Sequence, residues 1–245
     1  TITDLGGASG GETDVLIVSA GATANATNIT SFTADSSTSN SGTANLTTKV
    51  GGGTIDIGNS TTGAYSLTGL SGNDTLKGNG NADIINGGGG DDNIDGRGGN
   101  DEINAGAGDD IITVSSAGQG DGDTIDGGSG TDTLSLSSGS HAFATDAKLQ
   151  NINSITLAST STVIDLTGQT ESLTITGGAQ ADTITAGSGD DIINGAGGAD
   201  IIKGAGGIDT ISLGSSDSAS DIIIFDASSG MDIIQQFTAG ATNGD

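Results

Sequence analysis

Aspartate recurs at a fixed interval through the middle of this chain. Between Gly69 and Thr113 the sequence falls into five blocks of nine, with Asp74, Asp83, Asp92, Asp101 and Asp110 at the sixth place of each. If two blocks complete one turn of a flattened coil, each Asp stacks on the one eighteen residues later. Asp74, Asp92 and Asp110 then line one side, and Asp83 and Asp101 the other. Unscreened, such ladders repel. A hard cation that takes six to eight oxygen ligands relieves the repulsion by using carboxylates together with turn carbonyls. Calcium suits this better than magnesium, which keeps its waters and demands octahedral geometry. With Cys 0 and His 1 in the whole chain, zinc and copper are poor candidates.

The elements that hold these acids are equally periodic. The eighth place is aliphatic in every block: Leu76, Ile85, Ile94, Ile103 and Ile112. Glycine crowds the first four places, where a tight turn needs positive φ or close backbone approach. The pattern predicts a three-residue strand per block with one aliphatic side chain turned inward. Such units bury their apolar side only against neighbouring units, which is the mark of a solenoid.

After Asp110 the register slips by four residues through VSSA and resumes with Asp123 and Asp132 at the sixth place. A second set of blocks carries Asp182, Asp191, Asp200 and Asp209, and two looser copies end at Asp221 and Asp232. The spacing divides the chain into a Ser/Thr/Gly-rich strand segment (1–68), a first block (69–135), a connecting segment without the glycine code (136–176), a second block (177–235) and a tail (236–245). DVLIVS (Asp14–Ser19), TNITSFT (Thr27–Thr33), GTIDIG (Gly53–Gly58) and AYSLTG (Ala64–Gly69) read as strands, and the winding is expected to start near Ile55. In the connecting segment Ile155, Ile164, Ile175 and Ile184 keep nearly the same spacing, so the winding is expected to continue there. Beginning at Thr1 and stopping at GATNGD, the chain reads as part of something longer.

The blocks resemble the repeats-in-toxin (RTX) calcium-binding nonapeptide family, GGxGxDxUx, over 69–135 and 177–212. The resemblance implies an all-β fold, a right-handed parallel β-roll or β-helix solenoid with Ca2+ between stacked turns. It also implies ligand sets: carbonyls at places two and four and the Asp of one turn, with carbonyls at places one and three and the Asp of the next turn on that side. Carried onto this chain, Leu70, Gly72 and Asp74 face Gly87, Gly89 and Asp92. Asn79, Asn81 and Asp83 face Gly96, Gly98 and Asp101. Gly88, Gly90 and Asp92 face Ala105, Ala107 and Asp110. Across the slip, if the turns still stack, Arg97, Gly99 and Asp101 face Gly118, Gly120 and Asp123, and Gly106, Gly108 and Asp110 face Gly127, Ser129 and Asp132. In the second block Gly178, Gln180 and Asp182 face Gly195, Gly197 and Asp200, while Gly187, Gly189 and Asp191 face Gly204, Gly206 and Asp209. About five to seven ions are implied. Asn81 and Gln180 depart from the family by replacing the fourth-place glycine.

Composition excludes several alternatives. Lys+Arg is 5 against Asp+Glu 31, a net charge of -26, which leaves almost no cation to meet nucleic acid or an anionic membrane. No stretch approaches the ~18 apolar residues of a membrane span. Gly is 46 of 245 and Pro is 0, which fits neither collagen nor a Pro-rich linker. Glycine runs without a following GK[ST] are not phosphate loops. Glu102 and Glu171 have no partner spaced for acid–base work, and His141, beside Ser140, reads as a surface histidine. The metal-free chain is expected to be unfolded, with calcium ordering it. The Ser/Thr/Ala/Gly/Asn-rich flanks and the LQNINSITLAS run resemble RTX-type bacterial surface-layer proteins. That resemblance implies secretion by the type I route, an extracellular cell-surface location, and self-association into a lattice or attachment to the cell surface. The other reading is the C-terminal module of a secreted protease, lipase, toxin or adhesin; neither HExxH nor GxSxG occurs here, so no catalytic residue is assigned.

Overall fold

The computed structural model describes residues 15–115, 122–143, 145–214, 219–227 and 229–236. The block strands are short, as the pattern requires: Thr75–Lys77, Asn93–Asp95, Ile192–Asn194 and Thr210–Ser212 have three residues each, the central one buried. Three residues make too little ladder to persist alone, so each strand depends on the turns above and below it.

Among the described residues the strands pair in parallel throughout. They form a β-solenoid with one long face and a divided opposite face. The long face has 11 strands, from Ser31–Thr33 to Ile233–Gln235. The opposite face is a 7-stranded sheet from Thr23–Ile29 to Leu149–Gln150, then a 5-stranded sheet from Gly139–Ala142 to Ile222–Ile223. A two-stranded pair, Ile17–Val18 with Ser39–Asn40, lies at the N-terminal end.

Eighteen-residue stacking sets the register of the first block: Ile94 pairs with Leu76 on one side and Ile112 on the other. Across the VSSA slip Ile103 pairs with Ile125 and Ile112 with Leu134, so the extra residues leave the register of both faces intact. One turn, from Thr133 to Asn153, carries a strand of all three sheets and a single 3-10 turn, Asp146–Lys148. Beyond it the winding continues, with Ile155 on Ile175 and Ile164 on Ile184.

The core is a pair of aliphatic columns. On the long face Phe32, Ile55, Leu76, Ile94, Ile112, Leu134, Ile155, Ile175, Ile193 and Ile211 stack in sequence, each buried. The winding thus starts by Phe32 rather than near Ile55. The segment Thr27–Thr33 is split, at Thr30, between Thr23–Ile29 and Ser31–Thr33, which belong to opposite faces, and Asn28 lies at φ 64. The strand Thr43–Thr48 escapes a reading by β-branched runs because Ala44, Leu46 and Thr48 supply its buried side. His141 also differs from expectation. It is 1% exposed, its ring Nε2 lies 2.9 Å from Ser137 O, and its Nδ1 is buried without a partner. Its strand opens the five-stranded sheet and turns the ring into the core opposite Ile164.

Candidate metal centre

The sixth-place Asp residues sit immediately before the strands, and their backbone carbonyls accept the next turn's ladder N–H, as Asp74 O does from Asn93 N at 2.9 Å and Asp92 O from Ile111 N at 2.9 Å. Each Asp's own backbone N–H needs another acceptor, because buried amides are almost always paired. That acceptor is the Asp carboxylate of the following turn. Along the long face the N–H of Asp74 donates to Asp92 Oδ1 at 2.7 Å, Asp92 to Asp110 at 2.7 Å, and Asp110 to Asp132 at 2.9 Å. On the opposite side Asp83 donates to Asp101 and Asp101 to Asp123, both at 2.8 Å. In the second block Asp182 donates to Asp200 at 2.8 Å and Asp191 to Asp209 at 2.9 Å. Asp221 and Asp232 extend these ladders by accepting the N–H of Asp200 and Asp209 at 3.0 and 3.1 Å.

Oδ1 is thus spoken for, and Oδ2 distinguishes the turns. In the leading turns the second-place N–H donates to it: Asn79 to Asp83 at 2.8 Å and Gly178 to Asp182 at 2.7 Å, with Leu70 to Asp74 longer at 3.3 Å. In the following turns Oδ2 of Asp92, Asp101, Asp110, Asp132 and Asp209 is buried with no hydrogen-bond partner. A Cβ added at first-place Gly69, Gly78, Gly87 or Gly177 would collide with the Oδ2 of its own turn's Asp. It would also collide with the first-place carbonyl of the next turn, that of Gly87, Gly96, Ala105 or Gly195. An acid oxygen and a carbonyl oxygen therefore converge where each glycine leaves room.

The electrostatics are unfavourable for the protein alone. Burial pushes the carboxyls of Asp83, Asp92 and Asp123 up to about 6, Asp191 to about 7 and Asp101 to about 8. Neighbours in the ladder add to it: Asp110 and Asp74 at Asp92, Asp123 and Asp83 at Asp101, and Asp209 at Asp191. At Asp123, alone among these described carboxyls, a cation acts against burial. Lys148 lies beside it, Nζ donating to Gly122 O at 2.9 Å. Buried, acceptor-only, mutually repelling oxygens fit a hard divalent cation, which supplies positive charge and takes oxygen ligands without hydrogen-bond direction.

The residue pairs expected from the resemblance come together as stacked turns. Gly89 N–H donates to Leu70 O, Gly98 to Asn79 O, Gly197 to Gly178 O and Gly206 to Gly187 O, at 2.9 to 3.1 Å. These second-place carbonyls thus stitch the turns while keeping a second lone pair. Gly88, Gly106 and Gly128 pair in register, as do Gly89, Ala107 and Ser129. Gly72, Gly90 and Gly108 approach so closely in series, as Asn81 does Gly99, Gln180 does Gly198 and Gly189 does Gly207, that a Cβ would clash. Gly118 and Gly120 lie outside the described residues. Asn81 and Gln180 escape strain because neither takes positive φ. At place two Arg97, Ala196 and Ala205 do, at φ 67, 67 and 70, while the Arg97 guanidinium pairs with Asp56 at 3.2 Å. Among the described residues no group of three or more His, Cys, Asp or Glu side chains gathers to hold a metal; each interface offers two carboxylates, and carbonyls must complete any shell.

Sequence reasoning missed two ladder ends. Asn153 takes the place of an acid below Asp132, and Lys148 closes the Asp123 side. Asn153 escaped because the turn that holds it carries no glycine code, and a lysine capping a ladder has no motif. No curated protein matches the chain at a significant level. The family model of the RTX calcium-binding nonapeptide repeat matches in four copies, over 62–94, 87–116, 117–140 and 174–217. Those segments cover just over half of the sequence and end where the Asp ladders thin out. The nine-residue code, the stacked acids and this match agree, and the chain belongs to the RTX calcium-binding nonapeptide repeat family.

Proposed function

We propose that this chain is the calcium-binding structural module of a secreted bacterial protein, one that folds on meeting extracellular calcium and serves in a surface layer or another cell-surface assembly. The observation that carries the calcium switch is the set of buried, unpartnered Oδ2 atoms stacked turn upon turn. Without a cation, each folded turn adds a desolvated carboxylate to a column of like charges, which opposes folding. Calcium entering between turns reverses that sign, so binding free energy becomes folding free energy. The ions would be held by the sets anchored on Asp74–Asp92, Asp92–Asp110, Asp110–Asp132, Asp83–Asp101, Asp101–Asp123, Asp182–Asp200 and Asp191–Asp209. The pairs ending on Asp221 and Asp232 would add two more.

Self-association draws support from the C-terminal turns. Ile192, Ile222, Phe225, Met231 and Ile233 are each more than half exposed there, at 54% to 82%. Apolar surface of that extent on an otherwise acidic chain favours contact with further protein. Circular dichroism tests the switch: a coil-like spectrum in chelator and a β spectrum in millimolar calcium are expected, and a chain already fully β in chelator would sink it. Electron microscopy of the calcium-loaded protein tests the assembly, with ordered sheets expected and dispersed single particles counting against it.

A further inference from the structure

We propose that the turn ending at Asn153 forms an additional calcium site with the last long-face motif turn of the first block, Gly127–Asp132, built on Asp132 Oδ2, Asn153 Oδ1 and the Asn151 carbonyl. This rests on the reading that calcium lies between turns, and it adds a site in a stretch with no nonapeptide code: the family match stops at 140 and resumes at 174. Three features align. Asp132 N–H donates to Asn153 Oδ1 at 2.7 Å, as Asp74 and Asp92 donate to the Oδ1 of the acid that follows them. Asn153 Oδ1 therefore stands where the next carboxylate oxygen would. Asp132 is 0% exposed and its Oδ2 has no partner. A Cβ on Gly127 would run into both Asp132 Oδ2 and Asn151 O, the same acid-plus-carbonyl convergence found at Gly69, Gly78, Gly87 and Gly177.

The carbonyl is held in position. Asn151 lies at φ 54 and its side-chain amide donates to Asp126 Oδ1 at 2.7 Å. The charged groups that act on Asp132 are Asp109 and Asp126, both negative. An amide oxygen is an ordinary calcium ligand. The site thus keeps its oxygens while losing one negative charge, which makes it the weakest of its column. The parallel position on the other side carries the Lys148 ammonium at Gly122 O instead. One column ends on a bound ion, the other on a cation of the chain itself.

Calcium titration of the full chain by calorimetry, with ions counted by native mass spectrometry, tests this in Asn153→Ala and Asn153→Asp. Asn153→Ala should bind one ion fewer and keep the rest. Asn153→Asp should bind the wild-type number, with the weakest class tightened about tenfold by the added charge. An unchanged count in Asn153→Ala, or unchanged affinities in Asn153→Asp, overturns the proposal while leaving the other interfaces standing. If Asn153→Ala does not fold in saturating calcium, Asn153→Asp decides alone. A wild-type chain that binds no calcium overturns both readings.

Discussion

Asp92 answers to two turns at once. Its Oδ1 accepts the Asp74 N–H, its own N–H reaches Asp110, and its Oδ2 is left buried and unpaired between them. Asp221 accepts one such bond, from Asp200, near the end of its column. Replacing Asp92 by Ala should therefore remove about two calcium ions, and replacing Asp221 about one, as counted by titration; equal losses would contradict a bridging role for Asp92. The raised carboxyls also fix a pH response. From the ordinary 3.8 up to about 6 at Asp92 and about 8 at Asp101, the folded metal-free chain holds protons that the unfolded chain has released. Stability then falls as pH rises through that window. Metal-stripped protein should gain β structure between pH 8 and pH 5 by circular dichroism, and a loss of structure on acidification would reverse the sign. The ladder acids were legible because their spacing is the stacking register itself. His141 and Asn153 were not, since a lone His says nothing of its burial and the turn holding Asn153 steps by 21 residues with no glycine code.

The unit of the fold is a turn plus a three-residue strand, and each depends on the next. Ile94 is buried between Leu76 and Ile112, so Ile94→Ala should cost about 2–5 kcal/mol. That would appear as a higher calcium midpoint for folding. Glycines divide by what surrounds them. Gly90 lies at φ 111 with its Cβ direction filled by the Gly72 backbone, whereas Gly80 has nothing within 4 Å. Gly90→Ala should raise the calcium midpoint strongly and Gly80→Ala should leave it nearly unchanged; similar shifts would contradict the close approach of the turns. The family pattern asks for glycine at the fourth place, which Gly90 holds, and leaves the third, which Gly80 holds, open; the packed turns show why. Strand places were readable wherever an aliphatic residue held the inward position. Thr43–Thr48 was missed because its one inward aliphatic residue, Leu46, is flanked by an inward alanine and an inward threonine.

Over the whole molecule, two acid-laddered stretches flank a middle one that lacks them. Around Ser154–Leu157 the long-face column continues through Ile155, while the acid places hold Asn153 and Leu173. As chelator is titrated into the calcium-loaded protein, hydrogen exchange should therefore lose protection first at Asn93–Asp95 and last at Ser154–Leu157; uniform loss would mean that charge repulsion does not set the order. Repeat period and composition made the solenoid legible, but the hand-over between opposite sheets within one turn has no local code and was visible only in three dimensions. The ladder also has a direction: its sixth-place amides donate to a side-chain oxygen from the turn that follows. Cutting turns from the N-terminal end leaves a bare acid, which a proton or an ion can satisfy. Cutting from the C-terminal end leaves a bare amide, which only water can. The two ends of this molecule are therefore unequal to trimming, and shortening from the front is the gentler loss.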